Sequence, residues 1–152
     1  MSVAVGERAP AFSIETTEGP RRLDELLAEG SLVLVFYSED ATPTCTTQLR
    51  GFRDEHALVR ERGSHVLAVS ADGLESHRAF AARLGGLPFP LGSDPELALA
   101  RAYGVVDAEG RRARRAVFVI GADGVVVEAL PHYQPGVAEQ FAAVFVALGV
   151  EG

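Results

Sequence analysis

Runs of consecutive apolar residues alternate along the chain with stretches in which apolar positions recur every three or four residues. Residues 31–37 hold Leu32-Val33-Leu34-Val35-Phe36, a β-prone run of the type buried on both faces of a parallel sheet, and it predicts the central strand. Thr42-Pro43 then supplies a cap and a first-position proline. Cys45, Leu49, Phe52, His56 and Val59 follow at one-face helical spacing, predicting a single amphipathic helix that ends near Gly63. Residues 65–70 predict a second strand. Asp72 with Glu75 resembles a capping box for a helix whose inner face carries Leu74, His77, Ala81 and Leu84 and which stops at Gly85-Gly86.

Residues 89–91 read as a short extended piece, and Asp94-Pro95-Glu96 opens a brief helix to Tyr103 with Gly104 behind it. Residues 115–120 and 125–130 predict two strands around Ala122-Asp123-Gly124, a hairpin signal that makes them antiparallel neighbours. Val137, Phe141, Val144, Phe145 and Leu148 predict a final helix up to Gly149. Ahead of the central strand, an apolar stretch at 11–14, the turn-like Glu18-Gly19-Pro20 and one helical turn at 23–27 form an N-terminal preamble. The expected class is α/β: a central mixed β-sheet with helices on both faces, an N-terminal extension and a helical insertion. No repeat, linker or low-complexity segment divides the chain, so a single domain over residues 1–152 is expected.

Composition narrows the function classes. With 152 residues, 47% of them apolar, there is material for one sizeable core, and a charged fraction of 23% does not fit a disordered arm. The longest aliphatic and aromatic run, residues 32–37, is far short of the roughly 20 residues needed to cross a bilayer. The N-terminus shows no basic patch followed by an apolar stretch, so a cytoplasmic location is expected. A net charge of −7 argues against nucleic acid and anionic membrane surfaces as partners. All 14 basic residues are arginines, a compositional bias that carries no functional information. The four histidines show no ligand pairing, and neither a metal nor a cofactor is expected.

The single cysteine, Cys45, excludes an internal disulfide, a CxxC redox pair and a cysteine-rich zinc site. With Thr42 as cap and Pro43 as first helical residue, Cys45 falls in the first turn, where free N–H groups and the positive dipole end favour a thiolate. The same loop sits at the carboxyl end of the central strand, where ligand sites of open α/β sheets collect. Lowering a thiol pKa from about 8.5 to about 6 raises the thiolate fraction at pH 7 about thirtyfold, or ~2 kcal/mol. A fast enzyme needs further donors aimed at the group being displaced. Thr42 can supply a hydroxyl and Arg115 a fixed cation, while Gln48, on the same side of the helix as Cys45, could orient that arginine. Within Arg111-Arg112-Ala113-Arg114-Arg115, only Arg115 is expected to point inward; the others read as a solvated loop. The segment 132–135 reads as a loop entering the last helix, with the edge of the pocket as an alternative.

The run Thr42-Pro43-Thr44-Cys45-Thr46-Thr47-Gln48 after Phe36-Tyr37, then Gly51-Phe52-Arg53-Asp54, Phe89-Pro90-Leu91, Ser93-Asp94-Pro95, Tyr103-Gly104-Val105 and Arg115 to Ile120, resembles a peroxiredoxin. The similarity is to the bacterioferritin comigratory protein type of the alkyl hydroperoxide reductase and thiol-specific antioxidant family, and it spans nearly the whole chain. The resemblance implies a thioredoxin-like fold and reduction of hydrogen peroxide or organic hydroperoxides. It implies Cys45 as peroxidatic cysteine, Thr42 as peroxide-binding threonine, Arg115 as the arginine assisting thiolate and leaving oxygen, and Gln48 as its support. Pro43, Thr44 and Ser38 complete the supporting set.

Two positions depart from the family pattern. Ser38 stands where the family carries a proline that shields the pocket from water, and Arg50 stands where many members of the subgroup carry a resolving cysteine. The chain therefore resembles a one-cysteine member, whose sulfenic acid is recycled by an outside thiol: a thioredoxin, a glutaredoxin-like protein or a low-molecular-weight thiol. Either a monomer or a homodimer fits. The alternative is a thioredoxin-fold redox sensor or binding protein with little turnover, while a disulfide reductase is disfavoured by the missing second cysteine.

Overall fold

The computed structural model describes residues 2–149. Thirteen elements follow in chain order: β1 (Ser13–Thr16), β2 (Gly19–Arg22), α1 (Leu23–Ala28), β3 (Ser31–Phe36), α2 (Pro43–Asp54), α3 (His56–Glu61), β4 (Ser64–Ser70), α4 (Leu74–Arg83), β5 (Leu91–Ser93), α5 (Ala98–Tyr103), β6 (Ala116–Ile120), β7 (Val126–Leu130) and α6 (Ala138–Ala147). The strands form one mixed sheet in the order β2-β1-β5-β4-β3-β6-β7, with β3, β4 and β5 parallel and the remaining pairings antiparallel.

β3 lies between β4 and β6, and Leu32 to Phe36 have no solvent exposure. Side chains alternate across a strand, so Leu32, Leu34 and Phe36 enter one core while Val33, Val35 and Tyr37 enter the other. The first core is closed by α1 through Leu23 and Leu26 and by α5 through Leu99, Ala100 and Tyr103. The second is closed by α2, α3, α4 and α6, with Leu49, Phe52, Val59, Phe80, Val144 and Phe145. Burial on both faces is why β3 is apolar without alternation.

Several boundaries differ from the expectation, each for a local reason. The N-terminal preamble is a β-hairpin that extends the sheet through the β1–β5 pairing. Gly19 turns it at φ +94°, and the Thr16 hydroxyl donates to the Gly19 carbonyl at 2.6 Å. Its outer strand carries Arg21 and Arg22, charges that blunt an exposed edge. The single helix expected from Thr42 to Gly63 is two helices, because Glu55 leaves helical geometry at φ −103°, ψ 12°; past the break, Val59 reaches the second core.

α4 is capped by Gly73 with no side-chain bond, so Asp72 is not its capping residue. Its carboxylate accepts instead from the Ser70 hydroxyl at 2.6 Å and the Asp40 amide at 2.9 Å. β5 begins after Pro90, which lacks an N–H for a ladder, and so lies later than residues 89–91. α5 begins at Ala98 rather than at the Asp94-Pro95-Glu96 signal: Leu97 turns at φ +60°, and the Asp94 carboxylate reaches forward to the amides of Leu99 and Ala100 at 3.1 and 2.9 Å.

Candidate active site

β3 leaves the sheet at Phe36, and the chain crosses to α2 through residues 37–42. The first step of that crossing is fixed by the Tyr37 amide, which donates to the Val69 carbonyl at 3.0 Å. Thr42 caps α2 in an extended conformation and Pro43 occupies the first helical position, as the sequence predicts. Cys45 therefore lies in the first turn, and Leu49 and Phe52 on its face draw it into the second core until no solvent exposure remains.

Burial alone pushes the Cys45 thiol pKa up, because a desolvated thiolate is costly. The net shift is nevertheless downward. The hydroxyls of Ser38 and Thr42 and the amides of Glu39 and Ser38 act as donors to the sulfur and outweigh the desolvation. Ser38 Oγ lies 3.2 Å from Sγ. The Thr42 hydroxyl donates to the Glu39 carbonyl at 3.2 Å beside a neutral thiol and is also within reach of the sulfur, so ionisation of Cys45 offers it a stronger acceptor. These donors all belong to the crossing loop. The free N–H groups of the α2 first turn, expected from the sequence to favour the thiolate, are not among them.

That loop is anchored by a buried polar cluster. The Asp40 carboxylate accepts from Tyr37 Oη at 2.6 Å and from the Ser76 hydroxyl at 2.7 Å, and its oxygens lie 2.8 and 3.0 Å from His77 Nδ1. His77 Nε2 faces the Gly92 carbonyl at 2.9 Å. His77 Nδ1 also lies 3.2 Å from Tyr37 Oη, so each ring nitrogen has an oxygen within hydrogen-bond distance. The pair is almost dry, with the His77 side chain unexposed and that of Asp40 at 4%. Burial opposes ionisation of Asp40, but hydrogen bonds from His77, Tyr37 and Ser76 hold its pKa below the usual carboxylate value. Burial and then the Asp40 charge push the Tyr37 phenol well up, so it remains a donor. Between Asp40 and Thr42, Ala41 takes φ +65°, a conformation that costs a non-glycine residue roughly 1 kcal/mol or more.

Arg115 stands one residue before β6. Because Ala116 pairs with Phe36, Arg115 lies beside the point where β3 passes into the crossing loop. Its carbonyl accepts from the Tyr133 amide at 2.9 Å. Arg115 and Ser38 line one cavity of about 370 Å³, which brings the expected cation and the sulfur's neighbour together. Gln48 is buried, yet its Nε2 donates to the Phe36 carbonyl at 3.1 Å, while its Oε1 and the Arg115 Nε are both without hydrogen-bond partners. The expected direct support of Arg115 by Gln48 is therefore not formed; Gln48 ties α2 to the end of β3 instead. Pro43 and Thr44 are exposed, so what they contribute is the start of the helix rather than a contact with the sulfur.

Arg115 is not alone in turning inward. Arg114 is also half-buried and donates through Nη2 to the Gly104 carbonyl at 2.8 Å, whereas Arg111 and Arg112 are exposed. His132, Tyr133 and Gln134 line the same cavity. Among the described residues no group of His, Cys, Asp and Glu could hold a metal ion, and no helix is long and apolar enough to cross a membrane.

The sequence profile of the AhpC/TSA family matches residues 5–129. The chain is 35% identical over 138 residues to a putative peroxiredoxin bcp of Coxiella burnetii, an overlap covering 86% of this chain and 90% of that protein. It is 36% identical over 126 residues to the chloroplastic peroxiredoxin Q of Sedum lineare, covering 82% and 67%. The fold superposes on peroxidoxin BcpB of Mycobacterium tuberculosis with a TM-score of 0.87, 26% identity and 99% of each chain covered. It superposes on the bacterioferritin comigratory protein of Xanthomonas campestris, studied for its alkyl peroxide reduction activity, with a TM-score of 0.77, 32% identity and coverage of 91% and 90%. The α/β fold is thus the thioredoxin-like one that the resemblance implies.

The anchoring cluster predicts a pH-dependent stability. Since the Asp40 pKa is depressed in the folded state, its contribution is fully present above the unfolded value near 3.8 and is lost as pH falls through the lower folded value. Asp40→Asn should therefore destabilise the protein by about 3 kcal/mol at neutral pH in urea unfolding, with the difference from wild type shrinking below pH ~4. A difference independent of pH would show that Asp40 is not ionised in the fold.

Proposed function

The chain belongs to the AhpC/TSA family, and from that premise we infer that it is a thiol peroxidase acting through Cys45. The observation that carries the assignment is a fully buried Sγ, 3.2 Å from a hydroxyl and surrounded by loop donors that lower its pKa, at the carboxyl end of the central strand. The Cys45 thiolate attacks one oxygen of the peroxide, the O–O bond breaks, and the departing oxygen leaves as water or an alcohol after taking a proton. The sulfur is oxidised to a sulfenic acid. Thr42 holds the peroxide, and Arg115 stabilises negative charge on the departing oxygen. Ser38 touches the sulfur and Gln48 fixes the end of β3, while Pro43 and Thr44 set the helix start from which Cys45 projects.

The sulfenic acid has no second cysteine in its own chain and is reduced by an external thiol. The protein acts as a monomer or a homodimer in the cytoplasm. Ser38 is the observation that favours a second reading, a slow redox sensor, because the hydroxyl replaces a ring that keeps water off the sulfur in the resembling family.

Reduced protein mixed with one equivalent of hydrogen peroxide in the presence of dimedone should gain one adduct by intact mass within seconds, and Cys45→Ser should gain none. Arg115→Ala should lower the oxidation rate constant by about 10²-fold, the scale of losing one fixed charge-stabilising donor. An unchanged rate would remove Arg115 from the reaction. The two readings separate on Ser38→Pro: recovered shielding should raise peroxidase turnover or slow over-oxidation, whereas a slow wild type that proline does not improve supports the sensor.

A further inference from the structure

Resting on the thiol peroxidase reading, we propose that the cavity opening at Ser38 is a binding site for an anionic low-molecular-weight thiol, one carrying carboxylate groups, which serves as the reductant. In a chain of net charge −7, this cavity is lined by Arg112, Arg114 and Arg115 together with His132. The only carboxylate in its lining is Asp107, whose Oδ1 is taken up by the backbone amides of Arg111 and Arg112 at 3.0 and 3.3 Å rather than by a guanidinium. Arg112 meets Glu39 at 3.3 Å, but both side chains are about half exposed, so that pair is weak and open to exchange.

The other two arginines are less satisfied. Arg114 Nε and Arg115 Nε are both buried without a hydrogen-bond partner, and no hydrogen bond or ion pair from the Arg115 guanidinium to any described residue is present. Buried donors without acceptors are rare in folded proteins, and guanidinium forks match carboxylates in shape and charge. A cavity of about 370 Å³ suits a small molecule.

Position gives the site its purpose. Ser38 lines the cavity with its Oγ 3.2 Å from Cys45 Sγ, so this one side chain separates a thiol anchored there by its carboxylates from the buried sulfur, and a turn of Ser38 out of the way lets the two sulfurs meet. The thiol sulfur attacks Cys45–SOH, the S–O bond breaks, and a mixed disulfide and water form. A second thiol molecule attacks the bound thiol's sulfur, releasing the small-molecule disulfide and returning the reduced Cys45. Two thiols are oxidised for each sulfenic acid reduced.

The test compares 3-mercaptopropionate, 2-mercaptoethanol and cysteamine, which carry negative, zero and positive charge on similar frames. Protein is first oxidised with one equivalent of hydrogen peroxide and sulfenic acid formation is verified by dimedone trapping. Loss of trappable sulfenic acid is then timed with each thiol, and rates are expressed per thiolate. At low ionic strength the rate ratio of 3-mercaptopropionate to cysteamine should exceed, by about tenfold or more, the ratio the two thiolates show towards a small uncharged disulfide, which takes out their difference in basicity, and that excess should close as salt is added. Arg112→Ala should narrow the same excess. No excess, an excess in favour of cysteamine, or an excess indifferent to salt would overturn the proposal. A protein that forms no sulfenic acid fails at the verification step, which strikes the peroxidase reading instead.

Discussion

A sulfur shut away from water can carry negative charge only if protein donors replace the water, and at Cys45 those donors belong to one short crossing loop. Ser38, Glu39 and Thr42 surround the sulfur, while the helix that bears it is driven inward by Leu49 and Phe52. Hydrophobic burial and ionisation pull in opposite directions here. The loop donors reconcile them, and the positions of β3, α2 and α4 determine whether those donors stay in place.

The loop itself is held from behind. Asp40 is bonded to Tyr37, Ser76 and His77, its amide is bonded to Asp72, and Asp72 is tied to Ser70 at the end of β4. The crossing loop is thereby fastened to the carboxyl ends of β4 and β5 and to the start of α4. Ala41, held in left-handed geometry between Asp40 and Thr42, shows that these fastenings override a local backbone preference. A buried polar pair is not in itself strong evidence for stability, and its value here lies in fixing where Ser38 and Thr42 point.

Much of this was legible in the sequence because it is local. The central strand, the Thr42-Pro43 helix start, the first-turn place of Cys45, the Asp-Gly hairpin and the last helix each rest on neighbouring residues, and each stands in the structure. The break at Glu55 was hidden because Cys45, Leu49, Phe52, His56 and Val59 keep one period across it. Asp72 looked like a cap because spacing cannot tell whether a carboxylate turns to its own helix or to another segment. The Asp40–His77 pair joins residues 37 positions apart, and its only local sign was a histidine on the otherwise apolar face of α4. Gln48 and Arg115 lay in the expected region, but the amide found the Phe36 carbonyl first. The inward turn of Arg114 is not legible in the arginine run because it depends on the Gly104 carbonyl, which the end of α5 delivers from outside that run.

The central claim is that loop hydroxyls and amides, not exposure, make Cys45 a thiolate. Titration of the thiolate's ultraviolet absorbance in the reduced protein, with Cys45→Ser as blank, tests it most directly when repeated on the Ser38→Ala, Thr42→Val double variant. The account predicts a wild-type midpoint below that of an ordinary cysteine and a clearly higher midpoint in the variant, where only the Glu39 and Ser38 amides still oppose burial. A midpoint that stays low in the variant would contradict the account and move the source of the thiolate elsewhere in the site.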